Sequence, residues 1–192
     1  IREGRFGDGN GIKIFPTAKA TEVLMLNKTD WDKFANATGA SLEELRTWEG
    51  LAKAAEKYYE WTDSLTAVPN DGKAFFGRDA MANYIIVGSK QLGQEIFSVE
   101  SGQVSIHVDE GIMRRLWDNF YIPYISGYYT AVGRFRSDDA KTGEIIALVC
   151  STSAIPYFPD TVIIDDREEY PIESLVLPLP NFENTAPFAV QQ

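Results

Sequence analysis

The chain has 192 residues, 44% apolar and 12% aromatic, which suits one packed domain of moderate size and excludes disorder for most of its length. A formal charge of −10 excludes a basic phosphate-tracking stripe, so nucleic acid and anionic membrane surfaces are not expected partners. The single cysteine, Cys150, excludes an internal disulfide, and with His107 as the only histidine no metal or cofactor is expected.

In chain order, "GNGIKIFP" and "TEVLMLNK" read as short extended segments around Pro16. "TDWDKFANATG" is a helix capped by Thr29 or Asp30 and stopped by Gly39. "SLEE" at 41–44 has the spacing of a capping box, and Thr47 opens "WEGLAKAAEKYYEW", in which Leu51, Ala55, Tyr58 and Tyr59 recur at helical spacing. After the turn "PNDG", Lys73 to Phe76 form a brief strand, and "RDAMANYIIVGSKQLG" is a helix closing on Gly93. "FSVESGQVSIHV" is a hairpin around Ser101-Gly102, with His107 a partly exposed structural side chain. Asp109 caps "EGIMRRLWDNFYIPYI", whose Ile112, Leu116 and Phe120 face inward until Pro123 kinks or ends it. "RSDDAKTG" is a short helix with Ser137 as its cap and Gly143 as its stop. The buried strand Ile145–Val149 follows, then "CSTS", "SAIPYF" and a last strand in "ESLVLPLP". No apolar run approaches the roughly 20 residues that span a bilayer.

Strands alternating with helices imply an α/β fold with a mainly parallel sheet flanked by helices. Such sheets place ligands outside the carboxyl ends of their strands. Two of those ends hand off to polar groups, "GRD" at 77–79 and "CSTS" at 150–153, each before a new segment whose free N–H groups suit oxygen-rich ligands. Both are expected at the same sheet edge. Each also has a plain structural reading: Asp79 and Ser151–Ser153 as caps, Arg78 as one half of an ion pair. There is no GxSxG, P-loop or dinucleotide fingerprint. "DGNG" and "DDREE" fall short of a calcium loop and read as solvated turns.

The order of "IFPTAKATEVLMLNKTDWDKFA", "LRTWEGLAKAAEKYYEWTD", "GKAFFGRDAMANYIIVGSKQLG" and "KTGEIIALVCSTSA" resembles the family 1 extracellular solute-binding proteins of ABC importers, the maltose-binding-protein group. The resemblance runs from about Gly11 to Gln192 and covers the carboxyl-side lobe only. It implies a three-layer single lobe of a periplasmic-binding-protein type II fold, with residues 1–14 and 186–192 as inter-lobe crossing segments. The start at Ile1-Arg2 without methionine and the end at "PFAVQQ" fit an expected piece of a longer chain.

The resemblance further implies a ligand-binding lobe that delivers a sugar, oligosaccharide or other small polar solute to an ABC importer permease. It implies no enzyme and no cofactor, a missing amino-side lobe as partner, and an extracellular or periplasmic site tethered by a lipid anchor upstream. Carried over position by position, the ligand contacts are Thr17, Lys19 and Thr21, then Arg78, Asp79 and Tyr84, then Arg134, and finally Ser151, Thr152 and Ser153. Maltose binders have a stacking tryptophan where this chain has Ser153, followed by Tyr157 and Phe158, and an acidic contact near Ala20 is missing. Both departures argue against maltose and leave sugars as a class. The competing readings are a small α/β hydrolase- or transferase-like domain using Asp79 and Ser151–Ser153, and a purely structural interaction domain. A lone lobe is expected to bind weakly. Its cut ends, through Phe6, Ile12, Phe188 and Val190, are expected to be loosely held or paired with another copy.

Overall fold

The structure, a computed structural model, describes residues 11, 13, 15 and 17–190. Phe6, Ile12 and most of the expected 1–14 crossing lie outside the described residues. Strand β1 (Glu22–Asn27) leads straight into helix α1 (Lys28–Thr38). The α1 cap is Asn27, whose side chain accepts from Asp30 N, and not Thr29 or Asp30 as expected; Asn27 ends the strand, so its carboxamide is already extended and aimed at the first turn. Gly39 stops the helix in the left-handed region at φ 73°. Ser41 caps a short 3-10 helix, Leu42–Arg46, through Glu43 N, one residue earlier than a capping box requires. Thr47 caps α2 (Trp48–Asp63) through Gly50 N.

The main sheet has the order β2-β5-β1-β8, with β2 at Phe76–Arg78, β5 at Ala147–Ser151 and β8 at Ser174–Pro178. Only β2 and β5 pair in parallel; β1 runs against both of its neighbours, β5 and β8. The sheet is therefore mixed, and the expectation of a mainly parallel one is corrected. Two helices, α1 and α2, separate β1 from β2, so the chain re-enters the sheet from the opposite end and reverses direction. The strands β2 and β5 also begin two or three residues later than expected. Phe75 O already accepts from Ile146 N and Ala147 N at 3.1 and 2.9 Å, so regular pairing starts only beyond it.

Helix α3 (Met81–Gln91) and α4 (Glu110–Ile125) flank the hairpin β3–β4 (Phe97–Glu100, Gln103–Ile106), whose Ser101-Gly102 turn has positive φ at both residues. Asp109 caps α4 through Ile112 N, and Pro123 lies in the last turn of that helix. Helix α5 (Arg136–Lys141) precedes β5, and a 3-10 helix (Thr152–Tyr157) follows it. The segment "DTVIIDDREEYP" is a hairpin, β6 (Thr161–Ile163) and β7 (Glu169–Pro171). Its acidic stretch is the expected solvated turn, with Asp165 Oδ1 accepting from Arg167 N and Glu168 N.

Period-two alternation sorts the sheet residues between two unequal layers. Leu24, Leu26, Phe76, Ala147 and Val149 face the large helical layer, where Trp31, Phe34, Tyr58 and Phe75 meet edge to face and Trp48, Tyr84 and Phe182 form a second aromatic group. Met25 and Leu148 face a thin layer with Ala140, Ile145, Ile155 and Phe158. The closing segment packs on the helical side. Phe188 N donates to Asn181 Oδ1 (3.0 Å), Gln91 Nε2 donates to Phe188 O (2.9 Å), and Thr21 Oγ1 donates to Val190 O (2.7 Å). Phe188 and Val190, expected to lack partners, thus find them within this lobe, because the Gln91 amide and the aromatic layer are there to receive them.

Gly50 in the first turn of α2 is a close-approach position: an added Cβ would lie 2.0 Å from Glu44 O, a backbone atom. Helix propensity alone favours Gly→Ala by about 1 kcal/mol. Here the clash reverses the sign, and Gly50→Ala is expected to destabilise by about 1–3 kcal/mol in urea unfolding. An unchanged or raised midpoint would show that the 42–46 turn yields without cost.

Candidate functional site

The register brings the expected elements to one edge. Arg78 lies opposite Val149 in the parallel pair, and Glu22 lies opposite Ser151 in the antiparallel one. The carboxyl ends of β2 and β5 and the start of β1 therefore coincide, and "GRD" and "STS" open together as expected. Alternation then divides this edge between the two faces of the sheet. Arg78, Glu22 and Ser151 fall on the helical side, whereas Asp79 and Cys150 fall on the thin side.

On the helical side Glu22 and Arg78 form a buried ion pair at 2.6 Å, their side chains 3% and 1% exposed. Asn83 Nδ2 donates to the other Glu22 oxygen (3.1 Å), and Arg78 Nε donates to Ala80 O (3.1 Å). Burial pushes the guanidinium pKa down, and the Glu22 carboxylate pulls it back up. Tyr84 is also inside, its hydroxyl donating to Leu116 O at 2.9 Å, and burial raises its pKa. Both side chains are buried in the wall behind the strand ends.

On the thin side a groove of about 500 Å³ is lined by Asp79, Phe135, Ser137, Cys150, Ala154 and Tyr157, among others. Asp79 was expected to cap α3, but that helix has Ala80 at its cap position with no side-chain bond. The Asp79 carboxylate turns instead to α5 and accepts from Arg136 N (3.1 Å) and Arg136 Nε (3.2 Å), because Arg136 offers it a charge and a helix-start N–H together. Arg136 also pairs with the buried Asp139, which accepts from Gly133 N at 2.6 Å. Ser137, the expected cap of α5, lies two residues past the true cap: Phe135 occupies the cap position and its N–H donates to Asp138. Arg134 is exposed, its guanidinium 5.2 Å from the Phe135 ring.

Between the two sides sits the hydroxyl row. Ser151 caps the following 3-10 helix through Ser153 N, and the two serine hydroxyls lie 2.9 Å apart. Thr21 and Thr152 exchange two bonds, Thr152 N to Thr21 O (2.7 Å) and Thr21 N to Thr152 Oγ1 (3.2 Å). Thr17 and Lys19 are exposed on the segment leading in. So Thr21, Ser151, Thr152 and Ser153 form one surface, Asp79 flanks it on the thin side, Arg78 and Tyr84 support it from within, and Arg134 is placed only beside Phe135. Neither serine meets a base among the described residues, and His107 is bonded to Ser98 on the exposed hairpin. The arrangement offers no assembled nucleophile–base pair. Two members escaped sequence reading. Glu22 is signalled only by being an acid in the apolar run "EVLML", and Arg136 only by its i,i+3 spacing to Asp139.

Two expected outcomes test this geometry. Burial first, then the Asp79 and Glu22 charges, raises the Cys150 pKa to about 11 from an ordinary 9.0. Below that value the thiolate fraction falls, so at pH 8 the folded chain should react with a thiol-selective disulfide reagent about a hundredfold more slowly than the urea-unfolded chain. Rates within a few-fold would place Cys150 elsewhere. Glu22→Ala should cost about 3–5 kcal/mol by leaving Arg78 buried without its counter-charge, whereas Glu22→Leu with Arg78→Met should recover most of the loss. Equal losses for both variants in denaturant unfolding would refute the pair's role.

No protein-family model matches the chain, and no curated protein matches it in sequence. Solved structures match closely in shape. A family 1 extracellular solute-binding protein from Alicyclobacillus acidocaldarius aligns with 100% of this chain and 44% of its own, at a TM-score of 0.69 and 12% identity. UgpB from Mycobacterium tuberculosis, solved with glycerophosphocholine, aligns with 92% of this chain and 41% of its own, at 0.62 and 15% identity. The GacH receptor of Streptomyces glaucescens, solved with and without acarbose, gives 0.58 and 16% identity over 92% of this chain and 41% of its own. The chain thus spans less than half the length of these proteins, and its fold is that of a single lobe of a family 1 extracellular solute-binding protein.

Proposed function

We propose that the chain is the carboxyl-side, ligand-binding lobe of an extracellular or periplasmic solute receptor that delivers a neutral polyhydroxylated solute, such as a sugar or oligosaccharide, to an ABC importer. The observation that carries this reading is the joint edge where Thr21, Asp79 and Ser151–Ser153 converge, on a fold shared with receptors for acarbose and glycerophosphocholine. Hydroxyls donate and accept in turn, so they match a solute's own hydroxyls without burying an unpaired charge. Asp79, held by Arg136 and 43% exposed, supplies an acceptor of fixed direction. Tyr157, Phe158 and Phe135 line or border the thin-side groove and offer the flat faces on which a sugar ring rests. An amino-side lobe would close over this edge by a hinge, with residues 1–14 and 186–192 as the crossings, and an upstream lipid anchor would hold the receptor at the membrane.

A single wall supplies half of such a clamp, so affinity for this chain alone should be millimolar or weaker. Titrating the isotope-labelled chain with neutral di- and trisaccharides at tens of millimolar should shift amide resonances at Asp79, Arg134–Ser137 and Ser151–Ala154. Asp79→Ala should abolish those shifts and leave the fold intact. Shifts confined to other surfaces, or none with any sugar, would refute the reading.

A further inference from the structure

A second groove, of about 510 Å³, runs between α3 and α4 on the helical side, within the range of small-molecule sites. Its walls are apolar and aromatic: Met81 and Ile85 from α3, Trp117 and Tyr121 from α4, with Tyr84 and Arg78 behind them. The Trp117 and Tyr121 rings stack on one another, centroids 3.8 Å apart and planes tilted by 33°, and at 50% and 41% exposure the pair keeps aromatic surface open to solvent. The floor is different in kind. Arg78 is 4% exposed, and its Nη1 has no hydrogen-bond partner among the described residues. The buried Tyr129 hydroxyl, behind Phe120 of the same groove wall, is unpaired as well. A buried donor without an acceptor is unfavourable, so an acceptor that reaches it recovers that cost.

Charge selects the acceptor. Arg78 is already neutralised by Glu22, so a second anion would be desolvated without a free counter-charge, and the chain's net charge of −10 opposes anions further. Met81 and Met113, both in the lining, are flexible thioethers that re-pack around a ligand at little cost. We propose that this groove binds a neutral, largely apolar ring compound carrying one hydrogen-bond-accepting oxygen, with the ring on Trp117 and Tyr121 and the oxygen toward Arg78 Nη1. The groove shares Arg78 and Tyr84 with the wall behind the hydroxyl row, but the proposal does not rest on the solute reading.

The test follows the Trp117 indole resonance of the labelled chain, assigned with Trp117→Phe, during titration with 2-acetonaphthone, naphthalene and 2-naphthoate. The ketone should shift it and bind about tenfold more tightly than either companion, since only the ketone combines a ring with a neutral acceptor. Ile85→Glu, at a 40% exposed position, should weaken the ketone at least tenfold with no change in thermal midpoint, and Ile85→Gln serves if the first variant unfolds. Ser153→Tyr, on the hydroxyl row, should leave ketone binding unchanged. An unmoved indole at the solubility limit, equal binding of ketone and carboxylate, or full binding by a folded Ile85 variant would overturn the proposal.

Discussion

The buried ion pair between Glu22 and Arg78 is the constraint around which the rest of the edge is arranged. It reaches over β5 to join the start of β1 to the end of β2, two strands that run in opposite directions and do not pair with one another. Removing two charges from water is costly unless the remaining donors and acceptors are met; Asn83 and Ala80 O meet two of them, and Arg78 Nη1 is left without a partner among the described residues. The pair therefore fixes where α3 begins. Through α3 it also fixes the inner wall of the aromatic groove.

A sheet with a different chemistry on each face follows from the same strand ends. Odd and even positions separate by geometry alone, so Arg78 and Asp79, adjacent in sequence, work on opposite sides. The helical side is deep and aromatic, with a groove between α3 and α4. The thin side is shallow, and its polar network (Asp79, Arg136, Asp139) is anchored on one short helix. The hydroxyl row straddles the two, which lets one strand end present acceptors to solvent while its neighbours stay dry.

Much of this was legible in the residues, for physical reasons that can be named. Local signals held: Gly39, Thr47, Asp109 and the Ser101-Gly102 turn act as their chemistry requires, and each needs only its own few neighbours to do so. Signals that depend on partners distant in sequence did not hold as well. The direction of β1 is decided by the pair of helices after it, and the strand limits at Phe76 and Ala147 by the shared carbonyl of Phe75. Asp79 has an ordinary cap pattern, yet Arg136, 57 residues later, offers it more. The hairpin β6–β7 was hidden because its strands are three residues each and its turn is a run of charges.

Thr21 stands at a junction with a mechanical meaning. Its hydroxyl holds Val190 O, and its backbone holds Thr152 in two places, next to Ser151 and Ser153. The closing segment is gripped again by Gln91, whose amide nitrogen serves Pro180 O, Asn181 Oδ1 and Phe188 O at 2.9–3.1 Å while its oxygen receives Trp48 Nε1. Two N–H groups shared by three acceptors cannot saturate all of them, so the grip is one of interchangeable contacts and yields without a large penalty. Tension on residues 188–190 is thus passed to the Thr21–Thr152 bonds, and by reciprocity whatever steadies Thr152 also steadies the tail.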